Sequence, residues 1–140
     1  MMDYVFDACA FIAFLNDEVG ADTVAGLLGQ AGNGTDRLFI TSIQALEVYY
    51  DRIYIKGREY AETFLENLYS SPIIVLHEVS REVIREAGRY KTSYSMSLGD
   101  TILVATAYCT GATIVTCDHI ELRPVEQQEN IPFLWIRSQF

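Results

Sequence analysis

The chain has 140 residues, half of them apolar, and ten basic against nineteen acidic side chains give a net charge of −9. That length is enough for one domain with its own core, while its uncharged runs fall short of the roughly 20 residues that span a bilayer. So acidic a chain is excluded as a general nucleic-acid coat, which needs Lys and Arg against phosphate. A nucleic-acid enzyme is not excluded, because bound metal ions bring positive charge of their own.

Met1-Met2-Asp3 lacks the basic start of a secretory leader. Three cysteines (Cys9, Cys109, Cys117) without C-x-x-C spacing favour free thiols in a reducing compartment. A cytoplasmic location is expected.

In chain order, Tyr4 to Phe6 reads as a short buried strand and Ala8 to Leu15 as a helix. A second helix covers Ala21 to Gln30, and Gly32-Asn33-Gly34-Thr35-Asp36 is a loop. Leu38-Phe39-Ile40 is the second strand. A long helical region runs from Ser42 to Ser70 with a break near Lys56-Gly57, and Ser71-Pro72 ends it. Ile73 to Leu76 is the third strand, and a charged helix spans Ser80 to Arg89. The polar link Lys91 to Ser95 leads to a helix from Gly99 to Thr110, with Gly111 as its C-cap. Thr113 to Thr116 and Phe133 to Ile136 are the last two strands. Strands separated by helices predict an α/β fold, a three-layer sandwich around a mainly parallel sheet of about five strands. One domain over residues 1–140 is expected. In such folds ligands bind beyond the carboxyl ends of the strands, where strand order reverses.

Four acids stand out against this pattern. Asp7 and Asp118 follow the first and fourth strands directly, Asp100 opens a helix, and Glu47 interrupts an apolar helical run. Three have a local explanation: Asp7 as an N-cap accepting from Cys9 or Ala10, Asp100 in the capping box that begins at Ser97, and Asp118 in an Asx turn. For Asp7 and Asp100 the local and functional readings both stand. Glu47 is harder to explain, because Ile43, Leu46, Glu47, Tyr50 and Tyr54 share one helical face that is expected to be buried. A buried carboxylate costs several kcal/mol unless it is paired or binds a metal. Acids gathered at strand ends and helix starts, without basic neighbours, point to a divalent cation. Oxygen-only ligands suit Mg²⁺ or Mn²⁺. Cys117-Asp118-His119 lacks the further ligands that a zinc site needs.

The segments Val5-Phe6-Asp7-Ala8-Cys9-Ala10, Ala45-Leu46-Glu47-Val48, Ser97-Leu98-Gly99-Asp100-Thr101 and Ile114-Val115-Thr116-Cys117-Asp118-His119 occur in the order of the PIN-domain acidic motifs. The chain resembles a PIN-domain ribonuclease over its whole length, and in size it is similar to the VapC-type toxins of type II toxin–antitoxin pairs. The resemblance implies that Asp7, Glu47, Asp100 and Asp118 form a catalytic Mg²⁺-binding pocket, with Mn²⁺ as a substitute. Thr116 would orient the carboxylates. It implies RNA hydrolysis by metal-activated water, leaving a 5′ phosphate and a 3′ hydroxyl, with either Asp100 or Asp118 positioning the water. It also implies an antitoxin partner and a homodimer. Cys9 departs from the Ser or Thr common at its place, and Thr101 from the usual Ala. Glu121, three residues after Asp118, is a possible fifth acid.

Outside these motifs the signals divide. Arg81, Arg85 and Arg89 form a helical stripe that could follow a phosphate backbone, but Glu78, Glu82 and Glu86 interleave with it and favour a salt-bridged surface. Lys91, just beyond, is the candidate substrate contact. Tyr49, Tyr50, Tyr54 and Tyr60 fit core packing or a groove for a partner helix better than base stacking. His77 reads as structural. A haloacid-dehalogenase-type phosphatase would need a second acid where Cys9 stands. A receiver domain would need paired acids near the first strand and a late strand-end lysine. The remaining alternatives are a PIN-like RNA-processing nuclease without an antitoxin, and a catalytically idle PIN-like binding module.

Overall fold

A computed structural model describes residues 1–139. Its strands are β1 (Asp3–Phe6), β2 (Arg37–Thr41), β3 (Ile74–Leu76), β4 (Thr113–Thr116) and β5 (Phe133–Trp135). The helices between them are α1 (Ala8–Leu15), α2 (Ala21–Gly32), α3 (Ser42–Lys56), α4 (Arg58–Ser70), α5 (Arg81–Ser93), α6 (Leu98–Thr110) and α7 (His119–Gln128). The strands form one sheet in the order β3-β2-β1-β4-β5, with every neighbouring pair parallel. The expected three-layer α/β sandwich is what the chain adopts. The expected boundary at Phe140 lies outside the described residues.

Strand alternation divides the core between the two faces. Phe6 and Val115 point into a layer built with α1 to α4, where Phe11, Val24, Val48 and Phe64 pack. Val5 and Ile114 point the other way, onto Tyr90, Leu103, Leu122 and Val125 from α5, α6 and α7. Val5 lies opposite Ile114 and Phe6 opposite Val115. The carboxyl ends of β1 and β4 are therefore level with each other. Among the described residues no helix is long and apolar enough to cross a membrane.

Local chemistry accounts for most element ends. Thr41, Ser80 and Ser97 cap α3, α5 and α6 by accepting from the amides of Gln44, Val83 and Asp100. The break in the long helical region falls at Gly57, with φ +90°, and Gly111 ends α6 at φ +73°. Glycine takes both conformations without a Cβ penalty.

Three sequence expectations need correction. The supposed link Lys91-Thr92-Ser93 is the last turn of α5, because fully buried Tyr90 keeps that turn on the core. Helix α7 carried no clear signal, since Pro124 and polar neighbours mask the buried pair Leu122 and Val125. The third concerns the face of α3. Gln44, Ala45, Val48 and Arg52 point inward, whereas Leu46, Tyr50 and Tyr54 are 53%, 45% and 82% exposed. Gln44 and Arg52 pack inside because each finds hydrogen-bond partners there. Glu47 sits on the flank of this helix rather than in the middle of a buried stripe.

Candidate active site

Strand order turns at β1 and β4, which opens a crevice beyond their carboxyl ends. Asp7, Glu47, Asp100, Asp118 and Glu121 all line it, in a volume of about 390 Å³. The four acids expected from the sequence therefore line one crevice, together with Glu121 and Asp51.

Asp7 stands where an N-cap would, but its side chain makes no capping bond. Its Oδ2 instead accepts from the Thr116 hydroxyl at 2.7 Å and the Cys9 thiol at 3.1 Å. The N-cap explanation of Asp7 fails. Thr116 Oγ1 also accepts from the Asp118 amide at 3.0 Å, so one hydroxyl fixes two of the acids. Asp118 does cap a helix, with Oδ1 accepting from the Glu121 amide at 3.1 Å. That bond aims Glu121 at the crevice and leaves the second Asp118 oxygen for another partner.

Asp100 lies in only half of a capping box. Ser97 Oγ accepts from the Asp100 amide at 3.2 Å, but the Ser97 amide donates to Glu121 Oε1 at 3.0 Å and not to Asp100. The Asp100 carboxyl is thereby released from capping, and it stays buried at 6% exposure. Carboxyl oxygens of Asp100, Asp118 and Glu121 lie within 4.8 Å of one another.

Glu47 reaches the same crevice from α3, and its Oε1 is buried without a hydrogen-bond partner. Gly99 makes this possible, because a Cβ at that position would collide with Glu47 Oε1.

Gln44 went unnoticed in the sequence. Its Oε1 accepts from the Ala8 amide at 2.8 Å and its Nε2 donates to the Gly99 carbonyl at 2.9 Å. It thus ties the start of α1 beside Asp7 to the start of α6 beside Asp100. The available signal was a polar residue at the i−4 position of buried Val48.

The electrostatics are those of crowded, buried acids. Burial, and then the neighbouring Cys9, hold the Asp7 carboxyl well above the ordinary carboxylate range. Burial pushes Asp100 up to about 9, helped by its hydrogen bond to Glu121 and the charges of Asp7, Glu121 and Asp118. Glu47 is raised by burial and by the charge of Glu121. Glu121 is held low, chiefly by the bond from Asp100. Lys91 contributes only a weak pull on Glu121, and its ammonium donates to the Met96 carbonyl.

An orphaned buried carboxylate oxygen beside clustered carboxyls forms an all-oxygen donor set, and among the described residues no Lys or Arg makes a salt bridge to Asp7, Glu47, Asp100, Asp118 or Glu121. The residues present fit a hard divalent cation.

The other candidates fall away from the crevice or at its rim. Arg89 pairs with Glu86 at 3.3 Å and Glu129 at 2.9 Å, in line with a salt-bridged surface. The tyrosines divide: the Tyr49 hydroxyl donates to Glu62 at 2.5 Å, while exposed Tyr50, at the crevice wall, meets exposed Tyr54 edge-to-face at 6.3 Å. His77 stacks on Tyr69. His119 is buried, stacked on Trp135 at 4.2 Å with Nε2 bonded to the Arg137 carbonyl, which leaves no zinc-like trio with Cys117 and Asp118.

Fold and site together define a parallel α/β protein with an acidic crevice at its switch point. The family model described as PIN domain matches residues 4–124, and the chain belongs to the PIN-domain family. Among solved structures it is similar to VapBC2 from Rickettsia felis bound to a promoter DNA fragment (TM-score 0.74, 18% identity, 95% of this chain and 98% of that one). VapBC-1 from nontypeable Haemophilus influenzae gives a TM-score of 0.74 at 17% identity, covering 98% of this chain and 100% of that one. DNA-bound VapBC from Salmonella typhimurium gives 0.73 at 17% identity, with the same coverage. At these identities the likeness is one of fold. No curated protein matches the chain significantly.

Proposed function

We propose that this chain is a divalent-cation-dependent endoribonuclease working as one domain in the cytoplasm, and that it is the toxin of a VapBC-like pair. The observation that carries the reading is Glu47 Oε1, buried and unpartnered in a crevice with five other acids. Membership of the PIN family supports nuclease chemistry, and the fold likeness to VapBC structures supports the toxin assignment.

Asp7, Glu47, Asp100 and Asp118 would hold Mg²⁺ or Mn²⁺, with Glu121 as a further acid. Bound there, the ion would lower the pKa of a water and offset charge developing on the phosphodiester. Thr116 keeps Asp7 and Asp118 in a fixed relation, and Gln44 sets the distance between the α1 and α6 walls. The proton held on Asp100 must leave before that oxygen can ligate, so loading releases protons and strengthens as pH rises. Lys91, which donates to the Met96 carbonyl and weakly attracts Glu121, would be the phosphate contact.

An antitoxin's basic side chain entering the acidic crevice would inhibit the enzyme, with exposed Tyr50 and Tyr54 beside it as apolar contacts. A homodimer completes the proposed assembly.

The test is cleavage of RNA by purified protein and its Asp100→Asn variant in Mg²⁺, Mn²⁺ or EDTA. Cleavage by the parent alone, abolished by EDTA, is expected. Equal cleavage by both proteins, or cleavage that persists in EDTA, would overturn the assignment.

A further inference from the structure

Cys9 in the first turn of α1 and Cys117 just beyond β4 are 108 positions apart, yet they meet beside Asp7. The Cys117 amide donates to Cys9 Sγ at 3.3 Å, and the same sulfur lies 3.1 Å from Asp7 Oδ2 and 3.4 Å from Thr116 Oγ1. Pairing of β1 with β4, extended by the Asp7 amide donating to the Val115 carbonyl at 2.9 Å, fixes this approach. The two thiol side chains also hydrogen-bond to each other, so their sulfurs already face one another, as a disulfide requires. Both cysteines are partly exposed. Cys109, on α6, packs in the opposite core layer.

We propose that Cys9 and Cys117 form a reversible disulfide that weakens cation binding in the acidic crevice; the second half of this rests on the cation reading above. The oxidant class is a peroxide. One thiol sulfur attacks a peroxide oxygen, giving a sulfenic acid and one water. The second sulfur attacks the sulfenic sulfur, the S–S bond forms, and a second water leaves. Two electrons and both thiol hydrogens thus pass to one hydrogen peroxide. A dithiol reductant reverses the step by exchange. In a reducing compartment such a bond would be transient, as redox-sensing disulfides are.

The consequence for the site follows from Asp7. Its Oδ2 has two donors, the Thr116 hydroxyl and the Cys9 thiol, and the disulfide removes the thiol hydrogen. A ligand acid that loses an orienting partner binds metal about tenfold more weakly or worse.

The experiment treats the full chain with hydrogen peroxide, maps the linkage by mass spectrometry, and measures Mn²⁺ affinity before and after. The expected product loses the mass of two hydrogen atoms, yields a Cys9–Cys117 linked peptide, and binds Mn²⁺ about tenfold more weakly until dithiothreitol restores it. Cys117→Ser should block the link, and Cys109→Ser should not. Sulfinic acid without a link, or a link that needs Cys109, would overturn the disulfide. A linked protein that binds Mn²⁺ as tightly as the reduced one would overturn its effect on the site. A reduced protein with no Mn²⁺ affinity counts against the cation reading instead, and the peptide map still decides whether the bond forms.

Discussion

Helix α3 buries charge at two places and treats them differently. Arg52 is 1% exposed, yet its guanidinium donates to Asp51 at 2.6 and 3.1 Å and to Asn16 at 2.9 Å. Five residues earlier, Glu47 turns one oxygen into the crevice and leaves it without a partner. Buried charge that is satisfied reads as architecture. Buried charge left open, among other acids, reads as a place for a ligand that brings the missing charge. The contrast separates stability from activity on one helix, and it can be tested from both sides.

The largest effect is expected from Arg52→Ala. It removes a fully buried stem and strands Asn16 and Asp51, costing about 2–4 kcal/mol after allowance for the partly exposed Asp51. Thermal melting should fall accordingly, while activity per folded molecule is retained. Asp100→Asn should do the reverse, lowering RNA cleavage by about 100-fold or more with no loss of thermal stability in EDTA. Equal loss of both properties in either variant would erase the distinction.

Gly99→Ala is expected to displace Glu47 and to weaken Mn²⁺ binding by about tenfold, read by calorimetry. Unchanged affinity would remove Glu47 from the ligand set.

The pH response is smaller and has a definite sign. Asp7, Glu47 and Asp100 are raised in the folded protein, so it binds more protons than the unfolded chain between about pH 4 and 9. Their contribution is present at low pH and is lost as pH rises through the folded values. Asp3, Glu18 and Glu129 are shifted downward by arginine partners and act only on the acid side of that window. In EDTA the melting temperature should therefore decline from pH 6 to pH 9, and Mn²⁺ should protect most at pH 9. Asp100→Asn should flatten this decline. A cation effect that is larger at pH 6 would contradict the whole scheme.

Much of this was legible in the chain. Apolar runs gave the strands, and Gly57 and Gly111 marked real breaks because each takes positive φ. The acids at the ends of β1 and β4 could be placed together once parallel pairing was expected. What stayed hidden depended on partners. Periodicity misplaced the inner face of α3, since Gln44 and Arg52 look polar until Ala8, Gly99, Asn16 and Asp51 are there to satisfy them. Glu121 was undervalued because α7, which aims it, carried Pro124 and a weak pattern. The freedom of Asp100 turned on Glu121 taking the Ser97 amide, a contact between residues 24 positions apart.

Gln44 has a last consequence, for motion. Its amide group is bonded at once to the start of α1 and the start of α6. Neither helix start can loosen alone without stranding a buried polar group. The two walls should therefore open as one cooperative unit, and the Ala8 amide should exchange with deuterium only through global unfolding.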